Sequence, residues 1–331
     1  MKILITGGAG YIGSTVASAC LDNGLTPVIL DDFSLGRKEF VADRIAYEGD
    51  IADPAVVDRV FADHPDIEAV VHCAARIVVP ESVAEPILYY RNNVCGTLAL
   101  VESLLRNGCH RVVFSSSASI YSPDPDLTVD ESSGLAPGSP YARTKMVDEL
   151  MFEDCARATA LRVLSLRYFN PVGTDPQLRT GLQSPKPTHA VGKLLEAYEN
   201  GVPFTVTGVE WETRDGSAIR DYIHVWDLAA AHVQALLRFD DIATDDAPYQ
   251  VINLGTGDGV TVRELVAAFE DVVGHRLDVV DGEPRPGDVI GCYTRSERAR
   301  ELLGWQTEKS LQEAITDALA WSKKRREVLG T

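Results

Sequence analysis

The chain has 331 residues, of which 45% are hydrophobic and 24% charged, a composition typical of a soluble globular protein with a sizeable core. Its 49 acidic and 31 basic residues give a formal net charge of −18, which argues against nucleic acid or an anionic membrane as a partner. The six cysteines form no Cys-x-x-Cys pair and no apolar stretch is long enough to span a bilayer, so the sequence predicts reduced thiols, no metal site and a cytoplasmic location.

A short apolar strand and a glycine-rich turn open the chain. The turn reads Gly-Gly-Ala-Gly-Tyr-Ile-Gly over residues 7–13, and a helix is predicted over residues 12–23. Gly7 allows a tight turn, Gly10 lets the backbone approach a pyrophosphate, and Gly13 lets the helix pack closely on the strand. The spacing is not that of the commonest dinucleotide fingerprint, but the strand before it and the helix after it favour a dinucleotide with its phosphates at the helix N-terminus.

An acidic residue ends the second predicted strand, which covers residues 26–30. Asp31 follows that strand, where a carboxylate accepts hydrogen bonds from the adenosine ribose and repels a 2′-phosphate. The sequence therefore predicts NAD rather than NADP as the cofactor. A third strand is predicted over residues 44–48, and the acidic residue Asp50 follows it. The further residues predicted to lie beside the adenosine are Asp32, Phe33, Ser34 and Asp50.

Strands and helices alternate up to residue 170, with a fourth, fifth and sixth strand over residues 69–72, 111–114 and 162–167. This alternation predicts an α/β fold, a Rossmann-type doubly wound parallel sheet. Small residues after the fourth strand would let the cofactor come close, and Arg76 there either neutralises a phosphate or lies on the surface. The residues predicted beside the cofactor at these strand ends are Cys73, Ala74, Ala75, Arg76 and Ser115. Long helices are predicted over residues 87–107 and 141–159, with a loop over residues 122–140.

The alternation breaks after residue 170. We therefore predict an NAD-binding domain over residues 1–170 and a smaller C-terminal α/β substrate-binding domain over residues 171–331, with segments crossing back to the first sheet. Helices are predicted there over residues 189–199, 226–237, 262–272 and 311–325, and short strands over residues 204–207 and 250–254.

Tyr141 and Lys145 are four residues apart on one predicted helix, so both side chains project from the same face. A tyrosine has an unperturbed pKa of about 10, and a lysine ammonium within roughly 4–6 Å, together with the positive ring of oxidised NAD, favours the phenolate. The pair is therefore predicted to act as a general acid–base unit in which the pKa of Tyr141 is lowered. Ser117 can hydrogen-bond the same substrate oxygen. Because Tyr-x-x-x-Lys also occurs on helices by chance, the prediction depends on the serine and the glycine loop that precede it.

Several stretches carry a family resemblance. The chain resembles the extended short-chain dehydrogenases/reductases along nearly its whole length, and among them the nucleotide-sugar epimerases. The general motifs are Thr6–Gly13 and Ser139–Lys145, and Ser115–Tyr121 is a further matching stretch. The motifs more specific to epimerases are Arg167–Gly173, Arg220–Val225 and Arg285–Asp288.

The resemblance implies an NAD-dependent 4-epimerase that interconverts UDP-galactose and UDP-glucose through a 4-keto intermediate, and a homodimer built from the two long helices. Ser117 and Tyr141 would act on the sugar 4-hydroxyl, while Lys145 would bind the nicotinamide ribose. The residues implied to hold the cofactor are Tyr11, Ile12, Asp31, Asp50, Ile51, Asn93 and Phe169. The residues implied to hold the UDP part are Asn170, Arg220, Arg285 and Asp288, of which the two arginines suit a diphosphate because guanidinium binds phosphate in a bidentate way.

The chain departs from the family pattern at three places. Ile77 stands where a lysine is common, Thr188-His189-Ala190 replaces a common Asn-Asn-Leu, and Cys292 stands where a tyrosine is common. Cys292 is expected beside the sugar 2-position, where its small side chain leaves room for an N-acetyl group. The alternatives are a dehydratase or decarboxylase of the same superfamily, a plain alcohol dehydrogenase, and a non-catalytic NAD-sensing protein. Ala118-Ser119 stands where dehydratases carry an Asp-Glu pair, which ranks the first alternative low.

Overall fold

The computed structural model describes residues 1–184 and 187–330. Its strands are β1 (Lys2–Thr6), β2 (Thr26–Asp31), β3 (Ile45–Glu48), β4 (Ile67–His72), β5 (Arg111–Ser115), β6 (Thr128–Val129), β7 (Arg162–Tyr168), β8 (Asn170–Val172), β9 (Phe204–Thr207), β10 (Ile219–His224), β11 (Tyr249–Leu254), β12 (Gly259–Thr261), β13 (Val279–Gly282) and β14 (Tyr293–Thr294). Its α-helices are α1 (Tyr11–Asp22), α2 (Pro54–Asp63), α3 (Val79–Ala84), α4 (Pro86–Tyr89), α5 (Gly96–Arg106), α6 (Pro140–Ala158), α7 (Ala190–Asn200), α8 (Val225–Leu237), α9 (Phe239–Ile242), α10 (Val262–Val273), α11 (Arg298–Leu303) and α12 (Leu311–Leu329). In these two ranges, none of the helices combines the length and the apolarity that crossing a membrane requires.

Within the described residues, seven parallel strands form the main sheet in the order β11-β7-β5-β4-β1-β2-β3. Its central strands are apolar on both faces because helices cover both sides, and Val112, Val113 and Phe114 of β5 are fully buried. The predicted doubly wound parallel sheet is confirmed. The strand order reverses between β1 and β4, which opens a crevice at their carboxyl ends, where ligands bind in such folds.

The C-terminal part contributes smaller sheets and a second apolar core. Strand β10 pairs with β8 in parallel and with β12 antiparallel, and β13 pairs with β9. Leu194, Phe269 and Ile315 are fully buried in the core beside them. Two elements of this part belong to the first: β11 pairs with β7 at the edge of the main sheet, and α8 packs against α1.

The predicted helix over residues 87–107 is not a continuous α-helix. A π-helical turn, Tyr90–Cys95, lies between α4 and α5, and α3 precedes them. Asn93 lies in this turn and bonds both backbone groups of Arg76, accepting from its N–H at 2.9 Å and donating to its carbonyl at 3.1 Å. These two hydrogen bonds offset the poorer hydrogen-bond geometry of the π-turn and place Asn93 at the loop after β4. Such turns are frequent at functional sites.

The loop predicted over residues 122–140 contains a short strand. Thr128 and Val129 of β6 pair with Tyr293 and Thr294 of β14. A two-residue strand has no alternation that a sequence pattern could show, and here it is stabilised by a partner far along the chain. The pairing joins the segment after Ser117 to the segment that carries Cys292.

Candidate active site

Among the glycines of the turn over residues 7–13, only Gly10 leaves room for a Cβ atom. Gly7 has φ +70°, and a Cβ on it would lie 2.6 Å from the Ala74 nitrogen. A Cβ on Gly13 would lie 2.3 Å from the Gly7 carbonyl oxygen. At Gly10, in contrast, a Cβ would meet only the Gly7 oxygen, at 3.4 Å, and the helix α1 that follows has no side-chain cap. The protein itself therefore does not require glycine at position 10, whereas a phosphate bound at the helix N-terminus does.

Asp31 is held in place by two backbone groups. Its carboxylate is 7% exposed and accepts hydrogen bonds from the N–H of Ala9 at 2.9 Å and of Phe33 at 2.8 Å. Burial raises the pKa of Asp31, and these two N–H groups act in the opposite direction. Each carboxylate oxygen keeps a second lone pair, so the fixed carboxylate still has acceptors for a ribose diol.

The other residues predicted beside the adenosine lie at the ends of β2 and β3. Asp32 accepts hydrogen bonds from the N–H and hydroxyl of Ser34, at 2.9 and 2.7 Å, which fixes the turn after β2. Asp50 accepts from the Ala52 N–H at 2.8 Å, and Ile51 is buried. The Gly49 N–H donates a hydrogen bond to the Asp31 carbonyl. This bond places Asp50 and Ile51, which follow Gly49, on the same side of the crevice as Asp31.

The segment after β4 is fixed to its neighbours through polar contacts. Cys73 lies 3.1 Å from the Ser115 hydroxyl, and that hydroxyl lies 2.9 Å from the buried His232 Nε2. Arg76 forms an ion pair with Glu81 at 3.5 Å, so its charge already has a partner on α3. A phosphate contact by Arg76 stays a prediction, since it would have to share the guanidinium with Glu81.

The three predicted catalytic residues meet at the carboxyl end of β5 and the start of α6. Ser117 is 8%, Tyr141 7% and Lys145 2% exposed. The Lys145 Nζ donates a hydrogen bond to the Ser115 carbonyl at 2.9 Å and lies 4.6 Å from the ring centroid of Phe114. Ser139 caps α6 and Pro140 occupies its first turn, so the helix begins directly before Tyr141.

The surroundings of Tyr141 change the pKa of its phenol. Burial raises this pKa to about 12, and the nearby Ser117 hydroxyl acts in the opposite direction. Burial lowers the pKa of Lys145, against the nearby Asp148, Cys73 and Glu149. The predicted lowering includes the positive ring of oxidised NAD and so stays a prediction. Burial of the phenol is the effect that the lysine and nicotinamide charges would have to outweigh.

The two arginines predicted to bind the diphosphate both contact the segment 285–290. Arg220 donates hydrogen bonds to the carbonyl oxygens of Ile290 at 2.9 Å and Val289 at 3.0 Å. Arg285 forms a bidentate pair with Asp288 and donates to the Thr188 carbonyl at 3.0 Å. The structure brings them to one loop, although it also gives each of them protein partners that the sequence did not predict.

The remaining substrate residues connect this loop to the catalytic end. Cys292 packs against an apolar cluster that contains Phe169 and Tyr121. Asn170 begins β8, directly after Phe169, and pairs in register with Tyr222 of β10. The departure at residue 189 also has a structural role, since the His189 Nδ1 accepts from the Gly192 N–H and caps α7.

Sequence reasoning missed a buried polar network behind Ser117. Its members are Glu149 on α6, Arg167 on β7, Tyr121 and Asn253. Glu149 lies four residues after Lys145, so the helical period does place it on the catalytic face of α6. Charged side chains on helices usually face solvent, however. The burial of Glu149 is explained only by the position of its partner Arg167 in the sheet.

The fold and the site together define a class: short-chain dehydrogenases/reductases of the extended kind, with a dinucleotide-binding parallel sheet and a serine, tyrosine and lysine at its carboxyl edge. Residues 3–255 match the model of the NAD dependent epimerase/dehydratase family. The chain belongs to that family.

Similar proteins have been described under related names. A relative from Azospirillum brasilense, named UDP-glucose 4-epimerase, is 40% identical over 99% of this chain and 94% of its own. The crystal structure of a UDP-glucose 4-epimerase from Stenotrophomonas maltophila, with bound NAD and formylated UDP-arabinopyranose, has a TM-score of 0.93, 32% identity and 99% coverage of both chains. The UDP-Glc/GlcNAc 4-epimerase of Campylobacter jejuni has a TM-score of 0.81 and 33% identity, over 98% of this chain and 99% of its own.

Proposed function

We propose that this protein is an NAD-dependent UDP-hexose 4-epimerase that interconverts UDP-galactose and UDP-glucose. The observation that carries the proposal is the burial of Ser117, Tyr141 and Lys145 together, at the carboxyl edge of a sheet whose glycine loop is open at Gly10. The names of the similar proteins and the NAD and UDP-sugar bound in one of them support it.

The cofactor fits the residues of the crevice. The uncapped N-terminus of α1 would bind its pyrophosphate, Asp31 its adenosine ribose, and Lys145 its nicotinamide ribose. NAD, when bound, supplies a reversible hydride acceptor for the sugar carbon and a positive ring near Tyr141. That charge acts on the pKa of Tyr141 in the direction opposite to burial.

Each catalytic residue has a separate task. Tyr141 takes the proton of the sugar 4-hydroxyl and returns it after the keto sugar has turned over in the cleft. Ser117 hydrogen-bonds the same oxygen and orients it. Lys145 supplies positive charge, which its bond to the Ser115 carbonyl holds in a fixed position. The UDP part stays anchored by Asn170, Arg220 and the 285–288 segment while the sugar end moves.

Incubation of the purified protein with UDP-galactose, with no added NAD, tests this function. We expect UDP-glucose to form, because an epimerase regenerates its cofactor in each cycle and needs no supply from solution. Mass spectrometry of the denatured protein should identify NAD as the released molecule. Formation of a free keto or dehydrated sugar, or of stoichiometric NADH, would instead favour another reaction of the superfamily.

Arg285→Ala should weaken UDP binding by roughly 10-fold, the lower end of the 1.5–3 kcal/mol expected for a charge-assisted hydrogen bond, because the side chain is 44% exposed. Arg220→Ala should weaken it further, since that residue also holds the carbonyl groups of the loop. Calorimetry with UDP measures both. Arg263→Ala is the control: it removes the same charge from an exposed pair with Asp281, and equal loss there would mean a long-range charge effect.

Cys292→Tyr should lower activity on UDP-N-acetylgalactosamine more than activity on UDP-galactose. The thiol packs beside Phe169, and a tyrosine ring there would fill the volume that we expect an N-acetyl group to need. The measurement is the ratio of kcat/KM for the two substrates. Cys292→Ser, which conserves the volume, should leave this ratio unchanged. An unchanged ratio in the tyrosine variant would refute the volume argument.

We further propose a homodimer formed by the helical segment 86–106 and α6. Ile87 on α4, Leu98 on α5 and Leu150 on α6 are large apolar side chains that are 73%, 45% and 51% exposed. Two copies packed through these helices would bury them. Light scattering should give twice the 36.0 kDa chain mass, and Leu150→Glu should return it to the monomer value.

A further inference from the structure

A buried ion pair lies directly behind the catalytic serine. Arg167 on β7 and Glu149 on α6 have side chains only 6% and 4% exposed. The guanidinium Nε lies 2.9 and 3.1 Å from the two carboxylate oxygens, and its Nη2 completes a bidentate pair. A buried pair is weak evidence for stability, since desolvation offsets most of its attraction. Its other contacts therefore indicate what it does.

These contacts reach the Ser117 segment on both sides. Before Ser117, the Ser116 hydroxyl donates a hydrogen bond to the Glu149 carboxylate. After it, the Arg167 Nη1 donates to the Tyr121 hydroxyl at 2.8 Å, and the guanidinium lies 4.9 Å from the Tyr121 ring centroid. Glu149 and Lys145 lie on the same face of α6. That face therefore holds the Ser117 segment and also carries the acid–base lysine.

The Tyr121 hydroxyl uses both its acceptor and its donor capacity. It accepts from Arg167 and donates to the Asn253 Oδ1 at 2.7 Å. Burial raises the pKa of Tyr121 to about 12, so the donated proton is kept at neutral pH. The Asn253 N–H in turn donates to Glu131 at 2.7 Å, which fixes β11 to the far side of the loop. Tyr121 is therefore held from two strands of the main sheet, β7 and β11.

Within the loop that Tyr121 anchors, Ser117 also has a local partner, Ser119. Its hydroxyl donates to the Ser119 hydroxyl at 2.9 Å and accepts from the Ser119 N–H at 3.2 Å. Ser117 must nevertheless stay within reach of Tyr141. A single helical turn, Ala118–Ile120, joins Ser117 to Tyr121, so a shift of Tyr121 moves the serine.

We propose that Tyr121 is a positioning residue, which, through its bonds to Arg167 and Asn253, keeps the Ser117 hydroxyl in register with Tyr141 and the substrate oxygen. This inference rests on the proposed function for its substrate and goes beyond it in assigning a role to the Arg167–Glu149 pair. Misplacement of a catalytic group by about 1 Å costs up to roughly 100-fold in rate. The loss of one hydroxyl at Tyr121 should therefore lower kcat, although both hydrogen bonds of that hydroxyl go to protein groups.

Tyr121→Phe, which removes only that hydroxyl, should lower kcat for UDP-galactose by roughly 10- to 100-fold with KM and bound NAD unchanged. In a Ser117→Ala background the same substitution should change kcat by less than about twofold, because the group it positions is gone. Tyr47→Phe is the matched control. That hydroxyl also has two partners, Asp63 at 2.8 Å and His64 at 3.2 Å, but it lies at the opposite edge of the sheet.

Unchanged kcat in Tyr121→Phe, or an equal loss of kcat in both backgrounds, would overturn the proposal and leave Tyr121 a structural residue. A wild type that does not epimerise UDP-galactose would contradict only the proposed function.

Discussion

Tyr141→Phe should abolish most epimerisation and leave NAD bound. The substitution removes a single phenol oxygen from a side chain that is 7% exposed, and it leaves the glycine loop intact. Because the residue acts as general acid and base, kcat should fall by about 10²–10⁴-fold. Steady-state assays with UDP-galactose measure the rate, and mass spectrometry of the released cofactor measures NAD content.

Two outcomes of this experiment would contradict the assignment. A rate near that of wild type would show that Tyr141 does not transfer the proton. Loss of NAD with loss of the rate would show that the substitution damages the cofactor site instead. Tyr47→Phe provides the control for removal of a phenol oxygen elsewhere, and we expect it to keep both rate and cofactor.

Gly10→Ala should fold normally and bind NAD more weakly. Gly10 has φ −83° and ψ 177°, a conformation open to alanine, and a Cβ there would meet only the Gly7 oxygen at 3.4 Å. A methyl group at the phosphate site, however, should weaken binding by about 1–3 kcal/mol, or roughly 10- to 100-fold. Thermal unfolding without cofactor and calorimetric NAD titration separate the two effects.

Gly13→Ala gives the contrasting case. Its Cβ would lie 2.3 Å from the Gly7 oxygen and 2.9 Å from the Gly8 Cα, so the loop must distort and the apoprotein itself should unfold at a lower temperature. If Gly10→Ala bound NAD as wild type does, the pyrophosphate would have to lie elsewhere than over residue 10.

The sequence was sufficient for the main sheet and for placing Tyr141 and Lys145 on one helix, because both depend on local patterns. Runs such as Val112-Val113-Phe114 indicate buried strands, and the spacing of Tyr141 and Lys145 fixes one helix face. The strand pair β6–β14 and the burial of Glu149 depend instead on partners far along the chain. No local pattern encodes those partners.

The sequence also did not predict the effect of burial on the pKa of Tyr141 or the protein partners of the two arginines. Charge proximity alone predicts a lowered pKa for Tyr141, whereas the desolvation that raises it to about 12 depends on how completely the surrounding chain excludes water. The same holds for Arg220 and Arg285, whose protein partners at Ile290, Asp288 and Thr188 become visible only when the loop is folded.

The place of β11 in the sheet has a consequence for how the chain folds during synthesis. The strand lies beside β7 but follows it only after β8 to β10 and α7 to α9 have been made. Until residue 254 leaves the ribosome, the outer edge of β7 stays open, with its backbone hydrogen-bonding groups unpaired. Closure of the sheet is therefore a late, long-range step, which makes the nascent chain slow to complete and most prone to aggregation in that interval.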